Sequence, residues 1–290
     1  MAVVRWCKLC SVLLLLLMQA CAVQPADRMQ ADTPLHTEAS QPERQSAFSQ
    51  FPAVRTLRQG TGSNAGLDMP AHSNIKQVPG TIPWQHFKIP GKQPTAYNDT
   101  STDGRPAVMA SAVSSASMLR QSVRVEPAML QDIVFSWKVR HLIPGADLTQ
   151  RDTHDSPVRL VLAFEGDRSE FSMKNAMLSE LSLTLTGEPM PYATLMYVWC
   201  NACAKDTLYI NPRTDRIREI VLEAGPERLG QWLDYRRDIR ADYVKAFGQE
   251  PGALVDVGLM TDTDNTRQSA VAWYGPISLI TTSIQPSTRR

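Results

Sequence analysis

The sequence predicts an all-β protein, an antiparallel β-sandwich with one or two packed helices. Two observations lead to this prediction. Apolar and polar side chains alternate along many short segments of residues 81–290, which is the pattern of strands with one buried face. Pro, Gly, Asn and Asp residues separate these segments, as turns do in all-β domains. The region is long enough to form one well-buried domain.

The alternation is clearest in two segments. Ile133, Phe135, Trp137 and Val139 occupy alternate positions in the first, and apolar residues occupy positions 158, 160, 162 and 164 in the second. Antiparallel strands that turn one side toward a core have this pattern. Further strands are predicted at residues 107–113, 118–123, 193–199, 207–210, 217–222, 253–260 and 270–280.

Two helices are predicted between strand regions. Residues 169–185 carry apolar side chains near helical spacing, and a glycine and a proline follow them. Residues 237–247 have an apolar side and stop at Gly248, a residue suited to a left-handed cap. We expect both helices to pack on the sandwich.

The first 21 residues have the features of a lipoprotein signal. Arg5 and Lys8 precede the apolar run 12–18, and the small residue Ala20 precedes Cys21. A positive flank followed by a short apolar segment is typical of a secretory signal, and the run is short for a bilayer span. The cleavage site resembles a lipobox, which implies removal of residues 1–20 and acylation of Cys21. The alternative is an ordinary cleaved signal that ends in a chance cysteine.

Acylation of Cys21 predicts attachment to a membrane through a lipid anchor. More than one acyl chain makes such an anchor stable, because a single chain binds only marginally. The residue after the cysteine is Ala22 and not aspartate, which fits sorting to the outer membrane. We therefore expect the protein in the cell envelope, facing the periplasm.

Residues 21–80 are predicted to be a disordered tether that starts at the lipidated cysteine. The segment is rich in Gln, Ser, Pro, Ala, Thr and Asp. Such a composition buries too little apolar surface to offset the entropy of the chain. The alternative is that residues 51–57 dock on the domain as a short extra element.

The balance of charge excludes one class of partner. The chain has 30 basic and 29 acidic residues, whereas proteins that bind nucleic acid carry an excess of basic charge. We therefore expect no nucleic acid among its partners, and we expect membrane attachment to depend on the lipid.

Seven segments of the domain, taken in order, are similar to a known family. They include the motifs DGRP at residues 103–106 and MTDTDNT at residues 260–266, and the others lie at residues 84–87, 114–117, 135–139, 151–159 and 192–199. Together they resemble the bacterial domain of unknown function 3047. The resemblance implies a jelly-roll sandwich similar to galactose-binding-like and carbohydrate-binding modules, and the name of the family implies no activity.

The turn that contains Asp262, Asp264 and Asn265 is a candidate metal site. Two carboxylates and an amide within four residues offer the oxygen ligands that Ca²⁺ prefers. The sequence therefore suggests a structural calcium ion as the one cofactor. The alternative is an Asx-rich turn that is hydrogen-bonded to its own backbone.

The second candidate is a ligand-binding site for a sugar hydroxyl or a carboxylate. It comprises Lys138, Arg151, Asp155 and Arg159. Arginine forks bind planar anions, and carboxylates accept hydrogen bonds from hydroxyl groups. If Lys138 and Arg159 occupy the same outward face of a sheet, they form the polar floor of a ligand groove. The alternative is a solvated face with weak ion pairs.

Cys200 and Cys203 are predicted to form a disulfide. They are the cysteines that remain after signal removal and acylation, and an oxidising compartment favours their pairing. Half of a zinc site, completed by a histidine, is the alternative. A platform for stacking on a sugar could be formed by tryptophans, of which the domain has Trp84, Trp137, Trp232 and Trp273 among others, but such residues are more often part of a core. Trp137 shares a face with core residues, whereas the polar surroundings of Trp232 suggest exposure, with core or edge packing as the alternative.

The sequence shows no motif of a nucleophile elbow, metalloprotease helix, phosphate loop or dinucleotide site, so no catalytic residue is predicted. The predicted function is non-catalytic binding of a carbohydrate or another component of the cell envelope. One alternative is a glycoside-active or other hydrolytic enzyme, which needs carboxylates such as Glu188 and Glu223 about 5 to 10 Å apart. Another is a structural partner of an envelope assembly.

Overall fold

A computed structural model describes residues 51–59 and 82–282 of the protein. Two curled seven-stranded sheets form a jelly-roll-like β-sandwich, which confirms the predicted fold class. The strands of the first sheet, sheet A, are β1 (Arg55–Gln59), β3 (Ala96–Thr102), β4 (Arg105–Val113), β6 (Leu130–Val139), β11 (Leu233–Asp238), β13 (Ser269–Tyr274) and β14 (Ser278–Thr282). Those of sheet B are β2 (Gln85–Lys88), β5 (Ala116–Val125), β7 (Ser156–Phe164), β8 (Ala193–Cys200), β9 (Leu208–Ile210), β10 (Ile217–Ala224) and β12 (Leu254–Asp262).

The order of strands follows from their hydrogen bonding. Sheet A has the order β1-β14-β6-β13-β4-β3, with β11 on the other side of β6, and sheet B has the order β2-β5-β12-β7-β8-β10-β9. Most neighbours are antiparallel, as predicted, but β1 with β14 and β8 with β10 are parallel pairs. The segment 270–280, predicted as one strand, is divided into β13 and β14 at Gly275 and Pro276.

The alternating side chains of β6 and β7 form the centre of the core. Ile133, Phe135 and Trp137 are buried between the sheets, and Phe135 stacks on Tyr197 and Tyr235 with ring centroids 5.8 and 5.3 Å away. Burial of such aromatic rings supplies a large share of the free energy of folding. The prediction that Trp137 belongs to the core is confirmed.

Strand β7 differs from an ordinary half-buried strand because all nine of its residues are buried. Its even-numbered residues, such as Leu160 and Leu162, pack in the core. Its other side is covered by the segment 140–155, where Leu148 packs against Val198 and Val221 of neighbouring strands. The outer face of sheet B is therefore covered in part and not fully solvated.

Both predicted helices are present as α1 (Met173–Thr186) and α2 (Ile239–Phe247). Helix α2 buries Ile239 and Tyr243 as expected, and Gly248 ends it in a left-handed conformation. Helix α1 turns polar side chains toward the protein and apolar side chains toward solvent, the reverse of an ordinary surface helix. It buries Asn175 and Ser179, while its apolar side chains face solvent at Met173, Met177, Leu181, Leu183 and Leu185.

Residues 51–59 belong to the sandwich and not to the predicted tether. Phe51 is buried and packs against Trp84, with ring centroids 5.6 Å apart, and β1 pairs with β14 at the edge of sheet A. The alternative of a docked extra element is therefore the one that the structure supports. The predicted signal, Cys21 and the remainder of the tether lie outside the described residues. No helix in the described part is long and apolar enough to cross a bilayer.

The core and α1 predict opposite responses to truncation. Replacing Phe135 by alanine removes a fully packed ring and should lower the free energy of unfolding by about 3–5 kcal/mol. Replacing Leu181 by alanine should change it by less than about 0.5 kcal/mol, because this side chain faces solvent. Urea denaturation of the two variants measures both values. An equal loss for Leu181→Ala would show that α1 buries its apolar side.

Candidate functional site

Arg159, predicted to contact the ligand, lies in a buried network of charges on the outer side of β7. Its Nη1 is 3.1 Å from Oε1 of Glu219 on β10, and its Nε donates to Oδ1 of Asp262 on β12 at 2.9 Å. Its Nη2 donates to the carbonyl oxygen of His154 at 3.0 Å. Arg159 is 1% exposed, so it cannot contact a ligand at the surface. Its ion pairs link β7 to β10 and β12.

The two carboxylates beside Arg159 differ in their electrostatics. Burial raises the pKa of Asp262 above its ordinary value, and the attraction of Arg159 offsets only part of this effect. Burial would also raise the pKa of Glu219, but Arg159, His154 and Asn211 together lower it below the ordinary value. Burial would lower the pKa of Arg159, but the attraction of Asp262, followed by that of Glu219, raises it above its ordinary value.

Asp155 and Arg151 lie in the segment 140–155, which covers part of sheet B. Asp155 is buried and accepts hydrogen bonds from the backbone nitrogen and hydroxyl of Thr266 at 2.7 and 2.6 Å. These bonds fasten the covering segment to the turn at residues 262–266. Arg151 lies exposed in a short helical turn, and its carbonyl oxygen accepts from Arg213 at 3.4 Å.

Lys138 is on the other sheet. It extends from the outer face of sheet A, where its Nζ is 2.7 Å from a carboxylate oxygen of Asp103. The structure therefore does not assemble Lys138, Arg151, Asp155 and Arg159 into one ligand surface. The reason is that Arg159 and Lys138 point out of opposite sheets, which alternation within single strands does not reveal.

The predicted metal turn brings three carboxylates together. Ligand atoms of Asp155, Asp262 and Asp264 all lie within 4.8 Å of one another. Asp264 is paired with Lys92, however, and the side-chain amide of Asn265 donates to Asp155 at 2.8 Å. These contacts join the turn to Lys92 and Asp155 and not to its own backbone, so they differ from the alternative of a self-bonded turn. Structural calcium stays a prediction.

Cys200 and Cys203 form a disulfide at the end of β8. Cys200 is buried beside Leu148 and Val198, and Cys203 packs against the same small apolar cluster. A disulfide leaves no thiolate for the zinc alternative.

The outer face of sheet A carries a row of aromatic and charged side chains, which we call the tryptophan row. Trp273 on β13 pairs with Lys138 on β6 and with Met109 on β4. Trp232 directly precedes β11, whose first residue pairs with Trp137, so it lies beside Lys138 on the same face. Both tryptophans are partly exposed. The tryptophan row consists of Trp232, Lys138, Trp273 and Met109.

Cations hold the rings of this row in place. The Nζ of Lys138 is 5.7 Å from the ring centre of Trp273, and the guanidinium of Arg105 is 5.4 Å from that of Trp232. Arg105 also binds Asp234 at 2.8 Å. The pKa of Asp103 is lowered, chiefly by its hydrogen bond with Lys138, so it is an ionised acceptor at neutral pH.

A groove lies on the outer face of sheet B, in the part that residues 140–155 leave open. Its volume is about 380 Å³, within the range of small-molecule sites. Most of its wall is apolar, and its polar groups include Arg120, Glu188 and Asp256. Burial raises the pKa of Asp256, and its hydrogen bond from Ser122 offsets only part of this effect.

The carboxylates named for a hydrolytic enzyme do not share this groove. Glu188 lines it, but Glu223 does not. Glu223 is buried on β10, where it pairs with Lys205 at 2.5 Å and Arg228 at 3.1 Å. Its charge is thus neutralised by ion pairs away from the groove.

Sequence reasoning missed the groove, although one signal for it was present. On the outward side of β7, Val161 and Ala163 are apolar. An apolar outward side is typical of a strand that is not solvated on either face. Trp273 was also not separated from the buried tryptophans. Its position becomes clear only from the register between β13 and β6.

Removal of Arg159 tests its structural role. The variant Arg159→Met leaves Glu219 and Asp262 buried without their cation and should lower the free energy of unfolding by about 3–5 kcal/mol. Lys138→Met, which breaks a half-exposed pair, should cost less than about 1 kcal/mol. Both values come from urea denaturation. Similar, small losses for the two variants would contradict a structural role for Arg159.

Comparison with solved structures finds β-sandwich enzymes at low similarity. One is the xyloglucanase domain of NopAA, a type three effector from Sinorhizobium fredii, in complex with cellobiose. It has a TM-score of 0.35 and 9% identity, over 68% of this chain and 92% of that chain. Another is endoglucanase 3 of Trichoderma harzianum, from family GH12, with a TM-score of 0.35 and 7% identity over 69% and 96% of the two chains. Similarity at this level carries no information about ligand or activity.

Comparison with other sequences identifies the family. No curated protein matches the chain. One family model matches residues 82–278, which include both helices and every strand of the sandwich except β1 and most of β14. The expectation drawn from the seven sequence segments is thereby confirmed. The chain belongs to the family described as protein of unknown function (DUF3047).

Proposed function

We propose that this chain is a lipid-anchored protein of the cell envelope whose sandwich domain binds a glycan without catalysis. The observation that supports the proposal is the tryptophan row, where two partly exposed rings flank Lys138 on the outer face of sheet A. The glycan lies along this row. The ligand site therefore includes Lys138 and omits Arg151, Asp155 and Arg159.

The row has the two kinds of group that sugar binding requires. Sugar rings present apolar C–H faces, and indole rings offer large rigid surfaces for such contacts. Sugar hydroxyl groups need charged or polar partners placed around the aromatic surface. Here the Trp232 and Trp273 rings provide the surface, and Asp103, Arg105 and Asp234 stand beside it.

The location belongs to the same proposal. Residues 1–20 act as the signal, and acyl chains on Cys21 attach the protein to the outer membrane on its periplasmic side. As a flexible tether, the segment 22–50 of about 29 residues has a root-mean-square reach of roughly 30 Å. The sandwich can then bind a glycan at some distance from the membrane, and calcium at Asp262 and Asp264 is a further stabilising element to be tested.

Glycan binding is tested with residues 22–290 on an array of envelope glycans, with and without calcium. The chain should bind at least one glycan class, and Trp273→Ala should weaken that binding about tenfold or more, because loss of a stacked ring costs at least about 1.4 kcal/mol. Tyr209→Ala, which alters an aromatic residue of sheet B, is the matched control and should bind normally. An array without signal, or full binding by Trp273→Ala, would contradict the proposal.

Lipid anchoring is tested by expressing the full chain in a Gram-negative bacterium. The wild type should fractionate with the outer membrane, and its mass should equal that of residues 21–290 plus acyl chains. Cys21→Ser should release the protein to the soluble fraction, because anchoring depends on the acyl chains. Cys10→Ser changes only the removed signal and should stay in the membrane. Recovery of wild-type protein with an intact leader and no acylation would refute this part of the proposal.

A further inference from the structure

The groove on sheet B is a second candidate site, on the opposite sheet from the tryptophan row. Its floor consists of Met118 on β5, Met260 on β12, Val161 on β7 and Met196 on β8, and these four strands are adjacent in this order. Methionine side chains are flexible and polarisable, so they adapt to apolar ligands of variable shape. The floor therefore suits an apolar chain better than a sugar with its many hydroxyl groups.

Gly258 leaves space in the floor for the side chain of Met118. A Cβ atom at Gly258 would lie 2.5 Å from the sulfur of Met118 and 3.3 Å from Cβ of Val161. Both distances are shorter than an ordinary van der Waals contact, so any side chain at this position would displace the methionine. The lack of a side chain at Gly258 lets Met118 lie across the strand.

At the polar side of the groove, Arg120 already binds a carboxylate. Its Nη1 and Nη2 donate to the two carboxylate oxygens of Glu188 at 2.7 and 2.5 Å. Its guanidinium also stacks on Phe87, 4.6 Å from the ring centre. This fork geometry is specific for a carboxylate, and the stacking holds the fork in place for it.

The carboxylate bound by Arg120 belongs to a surface residue, Glu188. The side chain of Glu188 is 52% exposed and follows the left-handed end of α1 at Gly187. Helix α1 is held by polar contacts, such as that of Asn175 with Asp215 at 2.6 Å, and its apolar side chains face solvent. Segments with few buried apolar contacts move at low cost in free energy, so the carboxylate of Glu188 can be exchanged.

The groove also holds two further carboxylates and a second arginine. Glu165 is paired with Arg124 at 2.9 Å, and Asp256 accepts from Ser122 at 2.8 Å. Arg168 also lines the groove and forms no ion pair among the residues that the structure describes. Two guanidinium groups therefore stand beside an apolar floor.

We propose that this groove binds a single-chain amphiphile with a carboxylate head, of the fatty-acid class. The head replaces the Glu188 carboxylate on Arg120, and the chain lies along Met118, Met196 and Met260. Glu188 acts as an internal competitor that keeps the guanidinium paired when the groove holds no ligand. The proposal is independent of glycan binding, because the two sites lie on opposite sheets.

The test uses the acyl-free chain of residues 22–290 and dodecanoate, with binding measured by isothermal titration calorimetry. Dodecanoate should bind, and dodecanol and dodecyltrimethylammonium should bind at least tenfold more weakly. Arg120→Met should weaken dodecanoate binding at least tenfold. The matched control is Arg236→Met, which removes an exposed arginine paired with Asp132 on sheet A and should leave binding unchanged.

The variant Glu188→Gln gives the sharper result, because this exposed residue can be changed with little risk to folding. Loss of the competing carboxylate should strengthen dodecanoate binding at least threefold, whereas Asp132→Asn should have no effect. Equal binding of dodecanoate and dodecanol, no dodecanoate binding by wild type and Glu188→Gln, or weaker binding by Glu188→Gln would each overturn the proposal. Trp273→Ala should bind dodecanoate normally, which separates this site from the glycan site.

Discussion

One buried guanidinium holds sheet B together with the segment that covers it. Arg159 on β7 contacts Glu219 on β10 and Asp262 on β12, and it also donates to the carbonyl oxygen of His154 in the covering segment. An unpaired charge at such a depth costs several kcal/mol, so these groups must keep their positions together. The covering segment thus closes one part of the outer face of sheet B and leaves the other part as the groove.

The two outer faces of the sandwich consequently differ in chemistry. Sheet A exposes indole rings with charged neighbours, which suits a ligand that has apolar faces and many hydroxyl groups. Sheet B offers methionines and an arginine that already holds the carboxylate of Glu188. Because the core separates these faces, two ligands of different classes can bind without competition. The fold alone would not have indicated this division, since one fold hosts many functions.

Side-chain alternation predicted most strands and the sandwich, because the core side of β6 and β7 is apolar without interruption. The same alternation placed Arg159 on the solvated side. It is buried because the segment 140–155 folds over it, and the path of a covering segment leaves no period in the sequence. For α1, apolar spacing predicted a helix, but Asn175 binds Asp215 and Thr214 and turns the polar side inward. Strand β1 was missed because its neighbours have the composition of a tether.

The central claim is that a glycan binds at the exposed tryptophans of sheet A. Two-dimensional NMR of the indole N–H signals tests it directly, because each tryptophan of the domain gives one signal. On addition of the bound glycan, the signals of Trp232 and Trp273 should shift, while that of the buried Trp137 should stay in place. Unchanged signals from both Trp232 and Trp273 in the presence of a glycan that binds the protein would contradict the account.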